Sequence, residues 1–181
     1  MEFVDPIYDV KDIRKLKLAL KKKSPRDYLL FVFGINTGLR ISELLPLTYA
    51  DVLTENKCIK TELNKEEPVI LINHSMRKAL QCQMEMLPSI ELDNYLFASP
   101  KTGMPISRQQ AYRMIHTSAN QVGIDARIGT HTMRKTFGYH AYRKGIAISL
   151  IQKRLHHASP AETMKYIGLT KKLAPRIDVE L

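Results

Sequence analysis

His131 and Arg134 stand three residues apart in the stretch IGTHTMRKTFGYHAYRKG, a spacing that turns both side chains to one face of a helix. Placed there, an imidazole and a guanidinium can act on a single small anion. Guanidinium suits a phosphate, because its planar fork offers paired donors and stays protonated at any working pH. The competing reading is a solvated basic face, the usual fate of a His/Arg pair on a surface helix. Three further residues bear on the choice: Arg40 in TGLRISEL, His157 in LHHAS and Tyr166 in KYIG.

The whole chain narrows the partner. Its 181 residues suffice for one substantial core. With 44% hydrophobic and 25% charged residues, the composition is that of a globular protein. The 28 Lys and Arg outnumber the 18 Asp and Glu, for a net charge of +10. Such an excess attracts polyanions, of which nucleic acid is the commonest large one, although charge alone does not separate DNA from RNA or from an anionic membrane. The longest apolar run, YLLFVFGI, is too short to span a bilayer and suits a buried helix. Glu2 and Asp5 follow Met1 where a secretory signal would carry basic and then apolar residues. Cys58 and Cys82 lie far apart and in no metal-ligand spacing, which predicts two buried thiols in a reducing cytoplasm.

The elements that must position these side chains are mostly helical. Ser24, Pro25 and Asp27 form a start signal of capping hydroxyl, first-turn proline and acid. They predict a helix running to Thr37 and closed by Gly38. ISELL then predicts a short helix stopped at Pro46, so that Arg40 sits in a tight corner between two helices. CIKTEL and PVILIN, flanking the polar NKEE, predict two strands and a turn. Helical periodicity returns from Met76 to Leu87. YLFAS reads as a short buried strand, and Ser107 with Gln110 as a capping box for a helix reaching Val122, with Gly123 beyond its end. Helices follow over about 132–143 and 148–155. Ser159, Pro160 and Glu162 repeat the start signal, which places Tyr166 about two turns into a short last helix.

Taken in order, Arg40 in TGLRISEL, His131 and Arg134 in HTMR, His157 in LHHAS and Tyr166 in KYIG resemble the catalytic domain of the tyrosine recombinases, the phage-integrase family. The resemblance runs from roughly residue 24 to residue 170. It implies an α+β fold, mainly helical, with a small antiparallel sheet. It also implies a division into a linker and first helix (1–23), the catalytic domain (24–170) and a C-terminal tail (171–181). The implied activity is site-specific recombination: DNA strands are cut and rejoined through a 3′-phosphotyrosine intermediate, with a free 5′-hydroxyl released, in the integration or excision of a phage or other mobile element. In that family Arg40 and Arg134 would clamp the scissile phosphate and Tyr166 would attack it. His131 would hydrogen bond the phosphate or take the tyrosine proton, and His157 would bond the phosphate from the other side. A free phenol with a pKa near 10 is a poor nucleophile, but nearby cations favour its ionised form, and no metal or other cofactor is required. The implied partners are duplex DNA and other recombinase protomers, a tetramer at the synapse, with no membrane.

The resemblance also implies a general-acid lysine on the hairpin, which here reads KCIKTELNKEEPVILIN. Lys65 fits if the turn is shortened, and Lys60, followed by threonine, competes with it. His156 is the departure from the family pattern, which more often has glycine or asparagine there. Family members usually carry a separate DNA-binding region before this domain, so this chain alone is expected to bind DNA weakly. Two alternatives stay open: a type IB topoisomerase, which shares the constellation and relaxes supercoils without partner chains, and a DNA-binding regulator that keeps the fold but no longer cuts. The TGLRISEL corner and the short spacing from LHHAS to Tyr166 favour the recombinase over the first, and the complete series ending in a tyrosine argues against the second.

Overall fold

Ser24 ends one helix and starts the next. In the computed structural model, which describes residues 4–63 and 68–169, its backbone N–H donates to Leu20 O at 2.9 Å and closes α1 (Val10–Lys23). Its side-chain oxygen accepts from Asp27 N and opens α2 (Pro25–Thr37). Helix α1 buries Ile13, Leu16 and Leu20 on one face and keeps Lys21, Lys22 and Lys23 in its last turn, where cations complement the helix dipole. Helix α2 is the axis of the core. Leu29, Leu30, Phe31, Val32 and Phe33 are all fully buried, and each such side chain contributes about 1.5–3 kcal/mol of burial free energy. Buried on every side, it packs against α1, α5 (His74–Met84) and α7 (Thr130–Arg143).

Gly38 stops α2 with φ 71° and ψ 11°, a left-handed conformation costly to any residue with a Cβ. The chain turns there into α3 (Ile41–Leu44), with Arg40 as its N-cap. A further short helix, α4 (Tyr49–Val52), opens where Thr48 N donates to Asp51 Oδ2 at 2.8 Å. The T-x-x-D pattern is its sequence signal. Strands β1 (Glu62–Leu63) and β2 (Ile70–Leu71) pair antiparallel, Glu62 opposite Leu71 and Leu63 opposite Ile70, a shorter ladder than CIKTEL and PVILIN predict. Helix α6 (Arg108–Gln121) opens with the expected Ser107/Gln110 capping box. Helices α8 (Ile148–Leu155) and α9 (Pro160–Tyr166) complete the described residues.

Two expectations fail. YLFAS forms no strand: Leu96 and Phe97 are buried, but the segment pairs only through isolated bridges from Thr48 to Tyr95 and from Ala98 to Pro105. A buried apolar run has the pattern of a central strand, whereas the backbone bonds of this one are spread over two different partners. Cys58 is exposed and Cys82 partly buried, both as free thiols. Cys58 follows Lys57, which has φ 59°, in a surface turn where Thr54 N donates to Cys58 O. No helix among the described residues is long and apolar enough to cross a membrane.

Candidate active site

Helix α7 starts two residues earlier than its periodicity predicts, at Thr130, so His131 and Arg134 lie within one helical run and share a face. Gly129 N donates to Thr132 Oγ1 at 3.0 Å and fixes that start. Arg134 is only 4% exposed. Its Nη1 donates to Gly38 O, and its Nη2 to Leu155 O at 2.7 Å. One guanidinium therefore joins the corner that carries Arg40 to the end of α8, which leads into His157.

Arg40 is fixed differently. Its backbone N–H donates to Glu43 Oε2 at 2.6 Å and its Nη1 to Glu43 Oε1 at 2.8 Å, with the side chain 45% exposed. Glu43 also lies 4.0 Å from Arg134 Nη1, so one carboxylate sits between the two guanidinium groups. Burial acts to raise the Glu43 carboxyl. The hydrogen bonds from the Arg40 backbone and side chain, with the charges of Arg40 and Arg134, outweigh burial and hold it below the usual carboxylate range. Sequence reasoning missed Glu43. Its signal was the i,i+3 spacing from Arg40 within TGLRISEL.

His157 follows the C-cap of α8. That cap is His156, at φ 49° and ψ 42°, so the position where the chain departs from the family pattern is a left-handed one, which explains why glycine or asparagine is the more usual choice. His157 Nδ1 lies 3.1 Å from Thr163 Oγ1 on α9, and its ring meets Tyr166 edge to face with centroids 4.8 Å apart. Tyr166 ends α9. Its hydroxyl lies 3.5 Å from His131 Nδ1, close enough to Arg134 for that guanidinium to act on the phenol.

Electrostatics at this cluster follow from partial burial among cations. Burial pushes the Tyr166 phenol up, while the nearby guanidinium groups of Arg134 and Arg40 pull the other way. Burial and the charges of Arg108, Arg134, Lys135 and Arg40 lower His131. Burial lowers His157 as well, opposed by Glu162 and reinforced by Arg134, Arg40 and His156. Both imidazoles are thereby kept neutral, beside guanidinium groups that attract an anion. Among the described residues no group of three or more His, Cys, Asp or Glu is arranged to hold a metal ion.

Arg40, His131, Arg134, His157 and Tyr166 thus come together from four separate parts of the fold: the α2–α3 corner, α7, the α8–α9 connection and the end of α9. Lys60 does not join them: its ammonium donates to Ala50 O at 2.7 Å, on α4. Lys65 lies outside the described residues.

The sequence profile of the phage integrase family matches residues 7–172. The probable integrase/recombinase YoeC of Bacillus subtilis (strain 168) is 43% identical over 170 residues, covering 93% of this chain and 92% of its own. The type 1 fimbriae regulatory protein FimE of Escherichia coli (strain K12) is 31% identical over 146 residues, 78% of this chain and 73% of its own. A tyrosine recombinase of Pseudothermotoga lettingae is 28% identical over 158 residues, 86% of this chain but 54% of its own, so the chain spans about half the length of that relative. Among solved structures, the XerA recombinase superposes with a TM-score of 0.74 at 26% identity, over 98% of this chain and 66% of that one. The XerH recombinase bound to its palindromic difH substrate shares the fold, with a TM-score of 0.70 at 22% identity, over 94% of this chain and 51% of that one. Residue series, helical fold with its small antiparallel sheet, and family profile coincide over nearly the whole chain, which belongs to the phage integrase family of DNA-breaking and rejoining tyrosine recombinases.

Proposed function

We propose that this chain cleaves and rejoins duplex DNA with Tyr166 as nucleophile, in the integration or excision of a mobile element. The observation that carries the reading is the Tyr166 hydroxyl held 3.5 Å from His131 Nδ1, within the influence of the Arg134 and Arg40 charges. In the forward step the phenol oxygen attacks phosphorus and its proton passes to His131, which burial and neighbouring cations keep neutral. A P–O bond to Tyr166 forms as the bond to the 5′-oxygen breaks. Arg40 and Arg134 neutralise the charge that grows on the non-bridging oxygens, His157 donates to one of them, and Glu43 orients Arg40. The departing 5′-oxygen takes a proton from Lys65, since Lys60 is held at the Ala50 carbonyl. Rejoining runs the same steps backwards. The net charge of +10 supports duplex DNA as partner, and the reading extends to further protomers, four at a synapse, and to the cytoplasm as the place of action.

A nicked suicide duplex carrying the element's end, from which the cleaved fragment diffuses away, tests this directly. A protease-sensitive protein–DNA adduct is expected, and saturable binding without an adduct would leave a non-cutting DNA-binding module instead. In the same assay Lys65→Ala slows cleavage of ordinary DNA far more than of DNA with sulfur at the bridging 5′ position, because a thiolate leaves without protonation. Rescue by sulfur confined to Lys60→Ala would move the acid to Lys60.

The cations around His131 and His157 make DNA binding pH-dependent. Both imidazoles lie below their ordinary pKa in the free protein. A phosphate seated among Arg40, Arg134 and the two rings cancels that repulsion and raises both, so binding near pH 6 takes up protons. Calorimetry in two buffers of different ionisation heat measures the number, and proton release would contradict the arrangement. In the free protein the sign is opposite. A depressed folded pKa means the unfolded chain binds more protons, so stability is full above about pH 6.5 and falls as the pH drops through the folded values.

A further inference from the structure

Lys135, next to Arg134 on α7, is absorbed neither by the family resemblance nor by the steps above. Its ammonium lies 5.2 Å from the centre of the Tyr166 ring, within the range at which a cation is attracted to an aromatic face. The same ammonium donates to Val4 O at 2.8 Å. Val4 begins an extended segment that runs along α7 and is pinned at each step. Asp5 N donates to Arg127 O at 2.9 Å, and Ile7 N donates to the buried Thr136 Oγ1 at 2.9 Å. Ile7 O meets His140 Nε2 at 2.9 Å, and the Tyr8 ring stands edge-on to Tyr139 at 4.8 Å. The segment ends against the exit of α9. Gly168, at φ 77°, is so close to Tyr8 that a Cβ there would lie 2.4 Å from the Tyr8 hydroxyl. Residues 4–8 therefore brace the nucleophile's helix at two places: through Lys135 on the Tyr166 ring, and through Tyr8 two residues beyond it.

We propose that Lys135 is a positioning residue: it couples the Tyr166 ring to the segment 4–8 and so holds the hydroxyl beside His131 and Arg134. His157 also packs on the ring, edge to face at 4.8 Å, so removing the Lys135 ammonium takes away one of the ring's two described neighbours of this kind. Reacting atoms misplaced by a fraction of an ångström lose rate while DNA affinity is preserved. The inference rests on Tyr166 being the nucleophile, but its primary test does not need cleavage.

The test uses the full chain with 3-fluorotyrosine at position 166 only, as wild type, Lys135→Met and Lys135→Arg. Met keeps most of the aliphatic stem, and Lys135 is only half-buried, so both variants fold, which thermal melting verifies. The fluorine resonance of Lys135→Met is expected to move toward that of a solvent-exposed fluorotyrosine, and Lys135→Arg, which keeps a cation and a donor, to restore it. With the unfluorinated chain on the nicked suicide duplex, the single-turnover rate at saturating DNA falls about tenfold in Lys135→Met. The half-saturating DNA concentration stays unchanged, and Lys135→Arg recovers most of the rate. An unmoved fluorine resonance in Lys135→Met overturns the inference, as does an unchanged saturating rate with weakened binding, which would make Lys135 a phosphate contact. If the wild type forms no adduct, the proposed function fails, while the fluorine comparison still decides where Lys135 holds the ring.

Discussion

Replacing Tyr166 by phenylalanine abolishes covalent capture of DNA and leaves DNA binding intact. The substitution deletes one oxygen. The ring keeps its edge-to-face contact with His157 and its place under Lys135, and the hydrogen bonds from Arg134 to Gly38 O and Leu155 O do not involve it. Because the phenol is partly desolvated and its pKa raised, losing the hydroxyl costs the fold little, and the variant melts near the wild-type temperature. Chemistry is lost, because the Tyr166 hydroxyl is the one that meets His131 Nδ1 among the described hydrogen bonds. The adduct yield falls by roughly four orders of magnitude or more, the scale on which removing a nucleophile acts in other enzymes. A protease-sensitive adduct still formed by Tyr166→Phe would place the nucleophile elsewhere and remove the basis of the mechanism.

Alanine at either arginine slows cleavage sharply, yet the two variants differ in stability. Arg40 is 45% exposed and its ion partner Glu43 is itself partly solvated, so Arg40→Ala changes stability by less than about 1 kcal/mol. Cleavage falls by about 10²–10³, the loss expected when one preorganised donor to a developing anion is removed. Arg134→Ala removes that donor and also strips two buried carbonyls, Gly38 O and Leu155 O, of their partner. Each unsatisfied buried acceptor costs about 1–3 kcal/mol, so the variant is destabilised by several times as much as Arg40→Ala. Arg134→Lys does not repair it, because a single ammonium cannot span both carbonyls as a planar fork does. Urea titrations of the two alanine variants, beside their adduct yields, check the contrast. Equal midpoints would show that Arg134 does not hold the corner to α8.

Local chemistry explains why so many of the element boundaries were legible. Ser24, Ser107 and Ser159 each satisfy a donor three residues ahead, and Gly38 supplies the left-handed stop to α2. Such signals work within a single turn and can be read without a fold. YLFAS and Cys58 were misread because burial and pairing at those places depend on which distant segment arrives. Thr48 meets Tyr95 and Ala98 meets Pro105 across the chain, and nothing in five residues of sequence names those partners.

By itself the sequence determined the helical framework, the basic character and the ordered series from Arg40 to Tyr166. Those depend on residue identity and on spacing within a few residues, where the covalent chain fixes geometry. Tertiary structure alone decided the division of labour within the series. Arg134 became a buried strut because α7 packs against both the α2–α3 corner and the end of α8, while Arg40 stayed at the surface, held by Glu43. Only the fold set Lys60 aside on the Ala50 carbonyl and brought Lys135 between Val4 and Tyr166. Each of those facts is a contact between residues remote in sequence or turned by packing, and the free energy of such contacts depends on burial and distance, which no local pattern of residues encodes.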